Sequence, residues 1–213
     1  MARILITSGP TRQYLDPVRF LTNASSGKMG RALAAAAAEQ GHEVVVVSGP
    51  VEVAYPPVAR VLSVVSTEEM LDVCREQFAV CDGLIGAAAP CDYRPQHVQR
   101  NKISKTGQPL QLELIETADV VATLGMEKQH QWLVGFALET EDHRLRALAK
   151  LESKSCDLMV LNGPEAMNAS RNSVEIIDPA GHVVARATGA KLDVARAILQ
   201  VVQQRLASAP REK

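Results

Sequence analysis

The residues with the clearest chemical potential lie in the stretch Asn23-Ala24-Ser25-Ser26-Gly27-Lys28-Met29-Gly30, which runs into a row of alanines. The pattern is a polar loop turning into a helix. The hydroxyls of Ser25 and Ser26 suit the N-cap, where they accept bonds from the free N–H groups of a first turn. Gly27 and Gly30 let the backbone approach a ligand closely, and Lys28 adds a positive charge. Open N–H groups, small residues and a lysine at a helix start make a seat for an anion, phosphate above all. An ordinary capped helix has the same composition, so the stretch alone leaves both readings open.

Two familiar phosphate motifs do not fit. A Walker A loop needs glycine where Thr22 stands and serine or threonine where Met29 stands. Ser25-x-Gly27-x-x-Gly30 keeps two glycines of the dinucleotide fingerprint but begins well beyond the first strand pattern. Ser48-Gly49-Pro50 also replaces the ribose-binding acid after the second. Nor is there a Tyr-x-x-x-Lys pair for reductase chemistry, since Tyr14, Tyr55 and Tyr93 are followed four residues on by Val18, Ala59 and His97. An NAD(P)-dependent α/β oxidoreductase is thus favoured by fold alone and opposed by these residues.

The elements that must position the seat alternate between strand and helix. Strand patterns occupy 3–8, 43–48, 60–65, 83–89, 110–115, 132–137 and 157–161. Helices are predicted over 27–40, over 117–126 with Asp119 in the first turn, over 141–153 and over 190–206. Another follows the capping-box spacing Ser66-Thr67-Glu68-Glu69, with Met70, Cys74 and Phe78 on one face. Segments 11–26 and 90–109 read as long loops, the second a flap carrying Asp92, Lys102 and Lys105. Asp178-Pro179-Ala180-Gly181 has type I turn chemistry between strands 174–177 and 183–187. The expected architecture is α/β and Rossmann-like: a mostly parallel sheet, helices on both faces, and a C-terminal antiparallel hairpin. Residues 1–213 are expected to form one nucleotide-binding domain, with 208–213 a frayed tail. Such sheets bind ligands at the carboxyl ends of their strands. That gathers loops 9–26 and 90–109 with the strand ends near Glu139 and Asn162.

Composition narrows the class. With 213 residues and 46% hydrophobic content the chain can bury a sizeable core. A net charge of -1 and 3% aromatics argue against nucleic-acid binding. No apolar run approaches the roughly 20 residues of a membrane span, and Met1-Ala2-Arg3 leads directly into a strand, leaving no room for a signal peptide. Cys74, Cys81, Cys91 and Cys156 have neither zinc nor disulfide-frame spacing, which fits a cytoplasmic protein. Cys91 has no paired histidine signal that would make it a nucleophile.

Several blocks together carry a family resemblance. Thr7-Ser8-Gly9-Pro10-Thr11-Arg12, Asp16-Pro17-Val18-Arg19-Phe20 and the 23–30 stretch resemble the opening of phosphopantothenate–cysteine ligase. This is the synthetase half of the bacterial coenzyme A biosynthesis flavoprotein. Ala87-Ala88-Ala89 through Asp92-Tyr93-Arg94, Asn101-Lys102-Ile103-Ser104-Lys105, Val134-Gly135-Phe136-Ala137-x-Glu139-Thr140 and 157–162 continue it in register, over nearly the whole chain. No flavin-binding decarboxylase segment precedes these blocks, so the resemblance implies a stand-alone ligase without flavin.

The resemblance implies ligation of phosphopantothenate to L-cysteine through an acyl-nucleotide, with CTP (or ATP) and Mg²⁺, in a homodimer whose flap lies near the partner. By that likeness Asn23 holds the acyl-nucleotide, and the helix start at Ser25, Ser26, Gly27 and Gly30 receives phosphate. Lys102, the first lysine of a Lys-x-Lys-Lys flap that ends here at Lys105, serves the second half-reaction. Gly86, Ala87, Ala88 and Asp92 match nucleotide contacts, as do Ala118, Asp119, Val120 and Val121, then Phe136, Lys150 and Lys154. Taken singly, Lys150 and Lys154 equally fit a solvated helix face, Phe136 a core position and Asp119 a helix-dipole charge. Three departures stand out: Ser104 for a usual lysine, Pro90-Cys91 for Val-Ala, and Gly163 after Asn162 where many relatives have Asp. They keep a non-catalytic nucleotide-binding relative in view.

Overall fold

The computed structural model describes residues 1–138, 143–162 and 171–207. The expected strand end at Glu139-Thr140, the helix start at 141–142 and the tail at 208–213 lie outside them, as does most of the loop after Asn162. In chain order the elements begin with β1 (Arg3–Ser8), β2 (Arg12–Tyr14), β3 (Phe20–Thr22), α1 (Lys28–Glu39), β4 (Glu43–Ser48) and β5 (Arg60–Ser63). Next come α2 (Thr67–Phe78), β6 (Gly83–Gly86), β7 (Tyr93–Pro95), β8 (Leu114–Glu116), α3 (Val120–Glu127) and β9 (Trp132–Leu138). The last are α4 (His143–Ser153), β10 (Leu158–Asn162), β11 (Arg171–Ile177), β12 (Val183–Ala190) and α5 (Lys191–Val202), followed by a π-helical turn at Gln203–Ala207.

The main sheet runs β12-β11-β10-β9-β6-β1-β4-β5. Its six strands from β10 to β5 are mutually parallel, whereas β11 and β12 are antiparallel. Counted in chain order, the parallel set has the 3-2-1-4-5-6 arrangement of a doubly wound sheet, with its switch point between β1 and β6. The period of two along each buried strand divides the core. Ile4, Ile6, Val44, Val46 and Ile85 pack with α1 and α5, while Leu5, Val45, Val47 and Leu84 pack with α2, α3 and α4. On α1, Ala32, Ala34, Ala36 and Ala37 bury small side chains that let the helix lie close to the sheet and to α5. Each large aliphatic side chain so buried contributes about 1.5–3 kcal/mol.

Local chemistry sets the ends. Ser66 Oγ accepts from the Glu69 N–H at 3.1 Å, capping α2. The Gly181 N–H donates to Asp178 O at 2.9 Å, closing the turn of the β11–β12 hairpin. Several boundaries move. Segment 11–26 is not all loop, because β2 and β3 pair across it; Arg12 stacks on the Phe20 ring at 4.5 Å and Tyr14 meets the same ring edge-on. Part of the 90–109 flap is strand β7, paired with β8, which begins only at Leu114. Strand β6 stops at Gly86, where the chain turns into the site, and Asp119 caps α3 rather than lying inside its first turn. Among the described residues, no helix is long and apolar enough to cross a membrane.

Candidate active site

At the switch point the chain leaves β1 through Gly9-Pro10 and β6 through Ala87-Ala88-Ala89, and a cavity of about 490 Å³ opens between them and α1. Its wall includes Asn23, Ser25, Ser26, Gly27 and Gly30, then Ala87, Ala88 and Asp92, together with Phe136 and Lys150. The start of α1 is not capped as the sequence suggests. Its N-cap is Gly27, in the left-handed region at φ 70°, and no side chain accepts from the first turn. Ser25 and Ser26 therefore line the cavity instead of capping. The first-turn N–H groups keep their donor capacity and the positive end of the helix dipole faces the cavity. A hydroxyl chain braces this turn from below: Tyr55 donates to Ser8 Oγ at 2.8 Å, and Ser8 donates to Gly27 O at 3.3 Å. Gly30 rests directly on Ser8, whose Cβ and Oγ occupy the space a side chain would need.

Asn23 joins the two loops of the switch point. Its Nδ2 donates to Pro90 O at 2.8 Å and to Ala89 O at 3.4 Å. Behind them Cys91 is buried, and its Sγ donates to Tyr93 O at 3.2 Å. The Cys91 N–H donates to Thr11 Oγ1 at 2.7 Å, Thr11 and Thr67 hydroxyls lie 2.8 Å apart, and Thr67 and Thr117 both donate to Cys91 O. Nothing in the sequence links three threonines spread over 11–117, so this hub is invisible before folding. Thr11→Val keeps the shape but leaves the buried Cys91 N–H without its acceptor, at a cost of about 1–3 kcal/mol. A melting temperature lower by about 3–10 °C is expected, and an unchanged melt would contradict the hub's role.

A second cavity of about 300 Å³ shares Ala88, Pro90, Asp92 and Phe136 with the first, and its wall includes Gly86, Glu116, Ala118, Asp119, Val120, Val121 and Lys154. A Cβ on Gly86 would come within 2.7 Å of Val121 Cγ2, so only glycine keeps this wall flat. Asp119 accepts from the Ala122 N–H at 2.9 Å and pairs with Lys154 Nζ at 2.9 Å. Burial pushes its carboxyl up, but the Ala122 N–H and Lys154 outweigh that and hold it below the ordinary carboxylate value. The Lys154 N–H still donates to Lys150 O at 3.0 Å, as on one helical face, but the two lysines do not serve one cavity. The helix α4 ends at Ser153, and the two lysines line different, adjoining cavities.

Lys102 and Lys105 reach neither cavity. Lys102 is exposed, and Lys105 lines a separate depression of about 410 Å³ with Arg19 and Ile103. Their segment is anchored by Asp16, fully buried, which accepts from the N–H groups of Val18 and Arg19 at 2.8 Å each and of Ile103 at 3.0 Å. The Arg19 guanidinium pairs with Asp16 at 2.6 Å and donates to Ile103 O at 2.9 Å. Burial acts to raise the Asp16 carboxyl, but these N–H groups and Arg19 prevail and lower it from 3.8 to about 2. The clamp is therefore fully present above the ordinary value and is lost only as pH falls through about 2. Asp16→Asn should speed hydrogen exchange at Ile103 by tenfold or more at neutral pH, whereas retained protection would mean the flap is held elsewhere.

Cys74, Cys81, Cys91 and Cys156 are free and buried. Burial pushes the thiols of Cys74 and Cys156 up to about 12 and that of Cys81 to about 11, which removes them as nucleophiles near neutrality. Among the described residues no group of three His, Cys, Asp or Glu side chains could hold a metal ion. Lys28, Asn162, Asn172 and Lys191 also line the first cavity. Of these, Asn172 and Lys191 carried no signal in the sequence, because the hairpin and final helix look like a closing structural unit.

The comparisons agree with this architecture. The model of the DNA/pantothenate metabolism flavoprotein C-terminal domain matches residues 1–206. The coenzyme A biosynthesis bifunctional protein CoaBC of Bacillus subtilis (strain 168) is 40% identical over 204 residues, covering 93% of this chain and 50% of that protein. The chain thus spans about half the length of the curated relatives it matches. A crystal structure of the C-terminal domain of CoaBC is similar with a TM-score of 0.85 at 38% identity, over 98% of this chain and 97% of that one. At the level of fold alone, a Cab2 variant in complex with phosphopantothenate-cysteine matches with a TM-score of 0.77 at 15% identity, over 97% and 86% of the two chains. With this match along its length, the chain belongs to the family of the DNA/pantothenate metabolism flavoprotein C-terminal domain.

Proposed function

We propose that this chain ligates phosphopantothenate to L-cysteine, consuming CTP or ATP with Mg²⁺, and that residues 1–213 act as one ligase domain. The observation that carries this is the uncapped, lysine-flanked start of α1 opening into the switch-point cavity beside Asn23. In the first step the substrate carboxylate attacks the α-phosphorus. The bond to the bridging oxygen breaks, and pyrophosphate leaves as the acyl-nucleotide forms. In the second, the amine of cysteine attacks the acyl carbon and loses its proton, and nucleoside monophosphate departs with one oxygen of the original carboxylate.

The N–H groups around Gly27 and Gly30, with Ser25 and Ser26, stabilise phosphate charge as fixed donors. Asn23, tied across both loops, holds the acyl-nucleotide and keeps the site closed to water. Gly86, Val121 and Phe136 supply apolar walls for a base, with Ala118, Asp119, Val120 and Lys154 around it. Lys102 and Lys105 act from the flap, which must move toward an active site or lie against that of a second copy. Mg²⁺ needs few protein ligands when it travels with phosphates, and Asp92, shared by both cavities, is the carboxylate that would hold it with them. Bound there, the ion would neutralise charge on the triphosphate. Val18, Val98, Leu110, Leu112 and Leu114, on the clamped turn, the flap and the segment leading into β8, are exposed, and the contact of a homodimer is assigned to them. Buried free thiols fit the cytoplasm.

The test is to incubate the protein with Mg²⁺, CTP or ATP and phosphopantothenate, and then add cysteine. Pyrophosphate release followed by cysteine-dependent amide supports the reading, and the nucleotide pair decides the preference. Tight NADPH binding without pyrophosphate release would overturn it.

A further inference from the structure

Two neighbouring helices open on the first cavity. The helices α1 and α5 pack against each other, and each begins at its wall with a lysine, Lys28 and Lys191. Neither has a side-chain cap: the N-caps are Gly27 and Ala190. On the opposite face of the sheet, α2 and α3 are capped by Ser66 and Asp119. A cation in a first turn opposes the helix dipole, so each lysine carries an electrostatic cost within its own helix. Lys191 is held there all the same. Its Nζ donates to Asn172 Oδ1 at 3.0 Å, and Asn172 is only 5% exposed. Burial first, and then the nearby Lys28, lowers the Lys191 ammonium below its ordinary value. The acid in the first turn of α5, Asp193, is bonded to Arg196 at 3.3 Å. Asp92 is the carboxylate among the cavity's described lining residues. Asn162 also lines this cavity, and its buried Oδ1 makes no hydrogen bond among the described residues.

We infer that Lys191, positioned by Asn172, and Lys28 form a phosphoryl-binding seat where the starts of α1 and α5 converge. The seat takes either the terminal phosphates of the nucleotide or the phosphate ester of the acid substrate. It rests on the ligase reading for the identity of those ligands. A phosphoryl group there meets two ammonium groups and the N–H donors of two helix starts, and its charge offsets both the dipole conflict and the repulsion between the lysines. Lys191 acts as a binding residue, and Asn172 positions it.

The test is calorimetric titration of matched ligand pairs: CTP against CMP, phosphopantothenate against pantothenate, and inorganic pyrophosphate alone. Lys191→Met should weaken the ligand carrying the extra phosphate by roughly tenfold or more, as expected for a hydrogen bond to a charged group, and leave its counterpart unchanged. Lys191→Arg should restore most of the affinity. Lys28→Gln, at an exposed position that tolerates substitution, should weaken the same ligand severalfold and guards against a folding defect in the first variant. A loss confined to the CTP pair supports the seat and assigns it to the triphosphate; a loss confined to the phosphopantothenate pair supports it and assigns it to the ester. Unchanged affinities in both variants would overturn the seat while leaving wild-type ligation intact. If the wild type binds no nucleotide, the ligase reading fails separately, and the response of pyrophosphate affinity to Lys191→Met still decides the seat.

Discussion

Asn23→Ala is expected to lower amide formation by about 100- to 1000-fold, the range for loss of a fixed polar group that stabilises a reacting centre. It should lower pyrophosphate release less. Two effects combine. The substitution removes the side chain proposed to hold the acyl-nucleotide. It also cuts the bridge from Nδ2 to Pro90 O and Ala89 O, which ties the loop before α1 to the loop after β6. With the loops untied, water gains access to a mixed anhydride that would otherwise wait for cysteine. The measurement is the ratio of pyrophosphate released to amide formed. It should rise well above one in the variant and stay near one in the wild type. Equal, small losses in both half-reactions would mean that Asn23 neither holds the acyl-nucleotide nor keeps water from it.

Gly30→Val is expected to weaken nucleotide binding by roughly tenfold or more while leaving a folded protein. The new side chain would fall on Ser8, at the end of a central strand, and its neighbours include the Ser8 backbone, which has no flexible end to move aside. Overpacking of this type costs about 1–3 kcal/mol, and the relief available is a shift of the α1 start away from β1, which moves the anion seat. Affinity for the nucleotide should fall by roughly tenfold for each 1.4 kcal/mol of binding energy the shift removes. Gly41→Ala supplies the contrast. Gly41 also sits near an end of α1, at φ 77°, but a Cβ there meets nothing within 4 Å. That variant should lose about 1 kcal/mol of stability from backbone strain alone and keep its affinity. If both variants bind nucleotide as the wild type does, the start of α1 is not the seat.

The parts of the structure legible in sequence are those governed by period and by backbone chemistry. The valines of β4, the i, i+4, i+8 spacing on α2 and the turn at Asp178–Gly181 each report a local physical demand, and together they imply the doubly wound sheet. What stayed hidden depends on partners distant in the chain. The strands β2 and β3 are three residues each, too short to show alternation, and rest on their pairing and on the Arg12–Phe20 contact. Ser25 and Ser26 have the right chemistry for caps, but the left-handed turn at Gly27 carries the helix start away from them. Most residues proposed for ligand contact gather around the two adjoining cavities, whereas Lys102 and Lys105 stay outside, held by a buried carboxylate at Asp16 that reads in sequence as a loop charge. Lys191 and Asn172 belong to elements that look purely architectural, and only the approach of α5 to α1 brings them to the site.

On the proposed route, one carboxylate oxygen of the acid passes to the nucleotide inside this cavity. The decisive measurement is to label both carboxylate oxygens of phosphopantothenate with a heavy oxygen isotope and analyse the products by mass spectrometry after complete reaction with CTP, Mg²⁺ and cysteine. An acyl-nucleotide route predicts one label in the nucleoside monophosphate and one in the amide carbonyl, with none in pyrophosphate. Unlabelled nucleoside monophosphate, or nucleoside diphosphate accompanied by labelled inorganic phosphate, would contradict the mechanism proposed for this site.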